Sequence, residues 1–306
     1  MPGNSLPKNR HGDTITKAIG AVNLYPFRIR SGGTRCPSKS NGKRIMLFYE
    51  MKACARSFKS SRKERVRHQA MTLQNDIISL LPDRKNYIVG FADMGDLIRD
   101  HYPYRYAVVI GKRLDDAIID DIEGGPTPVY YELYQSANNE LDAISANICR
   151  LLARNNIPCL QIRATVQQTD IPAGFGKTLR MNFSHKMAAT RAGLGWIGKT
   201  DLLVSEAFGP RIRLATVLTH YPFEPCGAPI TESRCGNCAI CVEACPAGAA
   251  NGQLWNDATD RDEFFDAGKC RDACRRLSQE RLHREIHLCG ICVSVCPLGK
   301  SSKHCG

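Results

Sequence analysis

The apolar positions of this chain change period several times, and each change marks an element. Residues 66–81, VRHQAMTLQNDIISLL, space apolar side chains helically and stop at Pro82, which predicts an amphipathic helix. YIVGFAD (Tyr87–Asp93) and RYAVVIGK (Arg105–Lys112) read as strands, the second apolar enough to be buried on both faces. From Val129 to Arg154, Leu133, Ala137, Leu141, Ile144, Ile148, Leu151 and Leu152 recur at helical spacing and predict a long helix. IPCLQIRA (Ile157–Ala164) reads as a third strand, and Phe183–Ala192 as a helix. LLVS (Leu202–Ser205) and RIRLATVLT (Arg211–Thr219) read as strands, the latter alternating. Strands interleaved with helices argue a layered α/β domain over residues 66–225. A cysteine-rich part fills 226–306.

That part carries the strongest chemical signal. One run reads Cys235-x2-Cys238-x2-Cys241-x3-Cys245-Pro246, and a second reads Cys289-x2-Cys292-x3-Cys296-Pro297. Iron–sulfur clusters need four converging thiolates, and short loops ending in Cys-Pro bring them together. In two-cluster proteins the last cysteine of each run crosses to the other cluster. By that rule Cys235, Cys238, Cys241 and Cys296 hold one 4Fe–4S cluster, while Cys245, Cys289 and Cys292 hold the other with a remote cysteine. Cys270 and Cys274 sit between the runs at helical i, i+4 spacing. Cys226 and Cys305 are weaker choices. A structural zinc site or a disulfide framework is the bland alternative. A zinc ribbon leaves the extra cysteines and the Cys-x3-Cys-Pro endings unexplained, and disulfides suit small secreted domains.

Charge is unevenly placed. Residues 1–70 hold 16 of the 42 Lys+Arg and 3 of the 30 Asp+Glu, so the formal charge of +12 belongs to this segment. Segment 1–65 reads either as a disordered basic extension, with Met46 or Met51 as alternative starts, or as a nucleic-acid-binding arm. No stretch has the length of a membrane span, and the start lacks the apolar core of a secretory signal. A cytoplasmic location without membrane contact is therefore expected. Gly193-Leu-Gly-Trp-Ile-Gly198-Lys199-Thr200 matches the phosphate-loop pattern. Such loops need a strand before them and a helix after. Here a helical pattern precedes and a strand follows, which argues against a nucleotide site.

HKMAATRAGLGWIGKTDLLVS, then GPRIRLATVLTHYPF, then CGNCAICVEACPAGA, resemble the epoxyqueuosine reductase family. The middle stretch is also similar to corrinoid-dependent reductive dehalogenases. The resemblance implies a three-layer-type α/β cofactor domain followed by a small ferredoxin-like two-cluster domain, a fold class of α+β/α/β. It implies cobalamin as a further cofactor, held near Gly193, Gly195, Trp196, Gly198, Lys199, Gly209 and Arg211. It also implies Cys270 as the eighth cluster ligand, because the family's remote cysteine follows a segment similar to FFDAGKC. Its activity would be an oxidoreductase step of queuosine biosynthesis on tRNA, with a ferredoxin- or flavodoxin-type electron donor.

Two features depart from that pattern. The family's proton-donating aspartate lies shortly before the glycine turn, yet no Asp or Glu stands between Asp170 and Asp201. His185 is the first substitute, with Tyr102 and Asp170 behind it. The longer family members also continue past the last cysteine run with helical sequence. A second reading is therefore kept, an electron-transfer or reductive-activation protein with two clusters and no corrinoid of its own. A third makes the clusters structural and the basic arm a nucleic-acid binder.

Overall fold

Four strands form one sheet in the order β1-β2-β6-β3, and every neighbouring pair is antiparallel. They are β1 (Tyr87–Asp93), β2 (Tyr106–Arg113), β3 (Cys159–Ile162) and β6 (Ile212–Thr219). The computed structural model describes residues 71–300. The expected basic segment 1–65 with Met46 and Met51, the first residues of the first helix, and Cys305 lie outside the described residues. Within them, 71–79 are helical, which we call α1.

The sheet owes its position to period-two burial. Val108 and Ile110 of β2 and Ala215 and Val217 of β6 face one apolar cluster. Leu141, Ile144, Ile148 and Leu152 of α3 (Pro128–Arg154) complete it with Leu73 and Ile77 of α1. The alternate residues Ala107, Val109, Ile212 and Leu218 face a second cluster with Ala188, Ala189 and Ala192. These alanines belong to α5 (His185–Arg191) and its C-cap. Their small side chains bring that helix close to the strands. Burial of each large aliphatic side chain contributes about 1.5–3 kcal/mol. β2 is buried on both faces, as its sequence predicts, because helices cover both sides of an inner strand.

Helix ends follow capping chemistry. Thr127 accepts a hydrogen bond from Tyr130 N–H at the start of α3, with Pro128 at its first position. Asp115 caps α2 (Asp116–Asp120), a five-residue helix too short to be read from periodicity. The strand expected over 157–164 contracts to Cys159–Ile162, since Pro158 has no N–H to give and its carbonyl accepts from Thr219 Oγ1. Strand–helix alternation often signals parallel neighbours. Here β6 inserts between β2 and β3, so each pair is antiparallel.

The glycine segment folds as the residue order requires. After α5 comes a hairpin of β4 (Gly195–Ile197) and β5 (Leu203–Ser205). No helix N-terminus follows the glycines. Beyond β6 the chain forms α6 (Ile240–Glu243), α7 (Arg261–Phe264), α8 (Ala267–Leu282) and α9 (Ile291–Ser294). A four-residue helix, α4 (Phe175–Thr178), precedes α5. Leu277, Leu288, Ile291 and Val293 share an apolar cluster with Leu114, Ile119, Ile122 and Tyr130. Among the described residues no helix is long and apolar enough to cross a membrane.

Candidate metal centre

The thiols stand around two cavities. The first, about 180 Å³, is lined by Cys235, Cys238, Cys241, Cys292 and Cys296 with Lys199, Thr200 and Pro210. The second, about 520 Å³, is lined by Cys245, Cys270, Cys274, Cys289 and Cys292. Short helices do the placing. α6 and α9 each begin within a cysteine run and pack together, so the two runs interleave. Cys296 of the second run thus lies with the first three thiols of the first run, and Cys245 with the second run. That is the grouping crossed ligation requires. Among the described residues no three His, Cys, Asp or Glu side chains close onto a single ion. The thiols surround space instead, which suits a cluster of several atoms.

The protein's own chemistry fits such a group. Burial pushes the Cys292 thiol up to about 12 and the Cys296 thiol up to about 11. Thiols this reluctant to ionise become ligands when an iron core provides the positive charge. A hydrogen bond with Cys274 is the main cause that draws Cys289 down to about 7. Trp196 Nε1–H donates to Cys235 Sγ at 3.4 Å, and Ala249 N–H donates to Cys245 Sγ at 3.4 Å. Thr200 lines both cavities and pulls the thiol pKa of both Cys241 and Cys292 down against burial, so it stands between the two thiol groups.

The residues expected to hold a corrinoid take other roles. The added Cβ of an alanine would lie 2.2 Å from Val204 O at Gly195 and 2.1 Å from Leu298 O at Gly209. These glycines let backbone meet backbone. Gly193 likewise lies against Ala228 O, and Gly198 against the Val204 side chain. Trp196 is buried against Cys235. Lys199 is buried and donates to Cys238 O at 2.9 Å. Arg211 is fully buried, paired with Asp116 and Asp120 and donating to Ser294 O. Of these seven residues, Gly198 and Lys199 line the first thiol cavity and Trp196 donates to one of its thiols, while the others make the backbone and ion-pair contacts just described. The sequence pattern shows residue types, whereas the hairpin decides which way they face.

His185 is also differently employed. Its Nε2 donates to Arg163 O at 3.1 Å, and its Nδ1 accepts from Thr216 Oγ1 at 2.8 Å. Burial pulls its pKa down to about 4. A neutral ring with both nitrogens engaged is a fastening, not a proton donor, although it lines the second cavity. Tyr102 packs edge-on against Phe183, and Asp170 caps a short turn at Gln167. Neither is among the residues lining that cavity. Cys226 hydrogen-bonds Phe223 O beside the first apolar cluster, away from both thiol groups.

Sequence reasoning missed the far wall of the second cavity. Beyond the thiols it is lined by Tyr134, Lys186, Asp201 and Arg213. Lys186 Nζ pairs with the Asp201 carboxylate and donates to Asp201 O at 2.8 Å. Burial lowers the Lys186 pKa against the pull of Asp201. The Arg213 guanidinium stacks 4.3 Å from the Tyr134 ring centroid and donates to Asn138. The placement of Asp201, one residue past the glycine-rich motif, was the available signal.

Residues 234–299 match a family model described as a 4Fe-4S double cluster binding domain. An epoxyqueuosine reductase of Listeria monocytogenes is 33% identical over 119 residues, 37% of this chain and 28% of that protein. The epoxyqueuosine reductase of Bacillus subtilis is 35% identical over 119 residues, 38% of this chain and 29% of its own length. The chain thus spans less than a third of these curated relatives. Among solved structures, a reductive dehalogenase described as suggesting a mechanism for B12-dependent dehalogenation aligns at TM-score 0.51 and 16% identity. That alignment covers 76% of this chain and 37% of the dehalogenase, and it speaks to the fold alone. The chain therefore carries a double 4Fe–4S cluster domain, is similar to epoxyqueuosine reductases, and shares a mixed helix–sheet fold with a reductive dehalogenase.

Proposed function

We propose that this chain is an iron–sulfur oxidoreductase whose two clusters pass electrons to an acceptor in the second cavity. Cys235, Cys238, Cys241 and Cys296 hold the first cluster, and Cys245, Cys289, Cys292 and a thiol of α8 hold the second. The cofactor portion spans 66–225 and the cluster portion 226–306. One observation carries this reading. The second cavity is lined by Lys186, Asp201, Tyr134 and Arg213 as well as by thiols, and at about 520 Å³ it leaves an acceptor room beside a cluster. The first cavity is smaller, and Lys199 in its lining is tied to Cys238 O, which suits a relay.

The substrate class that the similarity favours is an epoxide-bearing nucleoside in tRNA. Its reduction takes two electrons and two protons, converting the epoxide to an alkene and releasing water. The clusters supply the electrons, and the Lys186–Asp201 pair is the proton relay at the cavity wall. Corrinoid binding is the finer reading, supported by the fold shared with the dehalogenase. Gly193, Gly195, Trp196, Gly198, Lys199, Gly209 and Arg211 are the residues the resemblance assigns to it, and Lys186, Asp201, Tyr134 and Arg213 line the cavity beside a cluster. The second reading is a two-cluster electron-transfer protein without its own corrinoid, supported by the backbone contacts that occupy Gly195 and Gly209.

Anaerobic purification with iron, sulfide and cobalt analysis, then addition of cob(II)alamin and epoxyqueuosine tRNA, tests both. About eight irons per chain with corrinoid retention and turnover support the reductase. Eight irons with no corrinoid binding at micromolar concentration and no turnover select the electron-transfer reading. Absence of iron uptake overturns both.

A further inference from the structure

The second cavity holds one thiol too many. Cys245, Cys270, Cys274, Cys289 and Cys292 all line it, whereas a 4Fe–4S cluster takes four cysteines, one on each iron. The surplus lies in α8. Its N-cap Asp266 accepts from Lys269 N–H and fixes the first turn, placing Cys270 one turn before Cys274 on the same face. Their sulfurs are 3.9 Å apart. Two thiolates on one tetrahedral metal, with bonds of about 2.3 Å, stand about 3.8 Å apart. The pair therefore has the spacing of two ligands addressing a single metal atom. Cys274 also lines the cavity together with Cys289 and the other thiols of the group. Both thiols are half-buried.

We propose that Cys270 and Cys274 are exchangeable ligands for one iron of the second cluster, the cluster nearest the acceptor space. The inference rests on the two-cluster reading above. Exchange breaks the bond from iron to Cys270 Sγ as the bond to Cys274 Sγ forms. The incoming thiol passes its proton to the departing thiolate, and no electron moves. Side-chain rotation alone suffices, since both residues sit on one rigid helix.

The test compares Cys270→Ala, Cys274→Ala and the double variant after anaerobic reconstitution. Iron and acid-labile sulfide are counted, and spectra of the reduced clusters are recorded. Each single variant is expected to retain close to the wild-type iron content with a shifted spectrum for one cluster. The double variant is expected to lose about half the iron, one cluster of two. Full iron in Cys274→Ala with Cys270→Ala falling to the level of the double variant overturns the exchange and makes Cys270 a dedicated ligand. A wild-type protein that takes up only one cluster instead sinks the two-cluster reading itself. Alkylation of the wild-type holoprotein with iodoacetamide, followed by peptide mass analysis, gives a check that needs no variant. Label divided between Cys270 and Cys274 is expected; label confined to one of them contradicts exchange.

Discussion

The two thiol cavities differ in closure. The first, about 180 Å³, is walled by the β4–β5 hairpin, with Trp196 on one thiol and Lys199 on a backbone carbonyl of the same run. The second, about 520 Å³, has both thiols and an ion pair in its lining. A closed site fixes a cluster and tunes it, whereas an open one lets a cluster meet something else. In the proposed function the contrast orders the two clusters along a path, with the exit at the second.

The largest effect expected is cluster loss. Cys238→Ala should remove the first cluster and Cys289→Ala the second, each costing about four irons, measured by metal analysis. On this ordering, Cys289→Ala leaves the first cluster reducible but uncouples it from any acceptor in the larger cavity. Equal uncoupling by both variants without loss of iron would break the comparison.

Next comes Arg211→Met. Arg211 is fully buried, and its removal takes one partner from Asp116, which keeps Arg113, and one from Asp120, which keeps Lys300 at 4.0 Å. A loss of about 3 kcal/mol is expected by denaturant titration, at the low end for a broken buried pair because both carboxylates keep some water. His185 offers a smaller, pH-dependent effect. Its folded pKa, about 4, lies below the unfolded value near 6.5. The stability it confers is therefore complete above pH 6.5 and declines as pH falls toward 4. With its partial exposure discounted, the decline is on the order of 1–2 kcal/mol. Chemical denaturation at pH 7.5 and pH 5 should show it in the wild type, and His185→Gln should flatten the difference. Smallest is Trp196→Phe, which deletes one N–H···S hydrogen bond. Such bonds stabilise the reduced, more negative cluster. The first potential should fall by on the order of 40 mV, the equivalent of about 1 kcal/mol for one electron, while the second stays put.

Much of the scaffold was legible because it is periodic. Leu141, Ile144, Ile148 and Leu152 announced α3, and the alternation in β6 announced a strand with two differently covered faces. The cysteine runs were legible because cluster geometry constrains spacing within a few residues. The contacts of the glycine turn were not legible, since Gly195 and Gly209 serve the approach of backbone segments remote in sequence or across a turn. Lys199 and Thr200 carry the residue types of a phosphate loop but serve the cysteine loops instead. Pairing of Lys186 with Asp201 depends on the hairpin turn, where Asp201 adopts φ +58°, and no local pattern reveals it.

Ferredoxin-like modules are often treated as portable parts, to be cut out and grafted elsewhere. Here Arg211 reaches from the edge of β6 to the α9 carbonyl of Ser294, and Tyr130 of α3 lies in one apolar cluster with Leu277, Leu288 and Ile291. A fragment beginning at residue 226 would carry the thiols away with that apolar face bare and the guanidinium left behind. Trading this electron-carrying module between proteins would therefore mean moving α2 and the start of α3 with it.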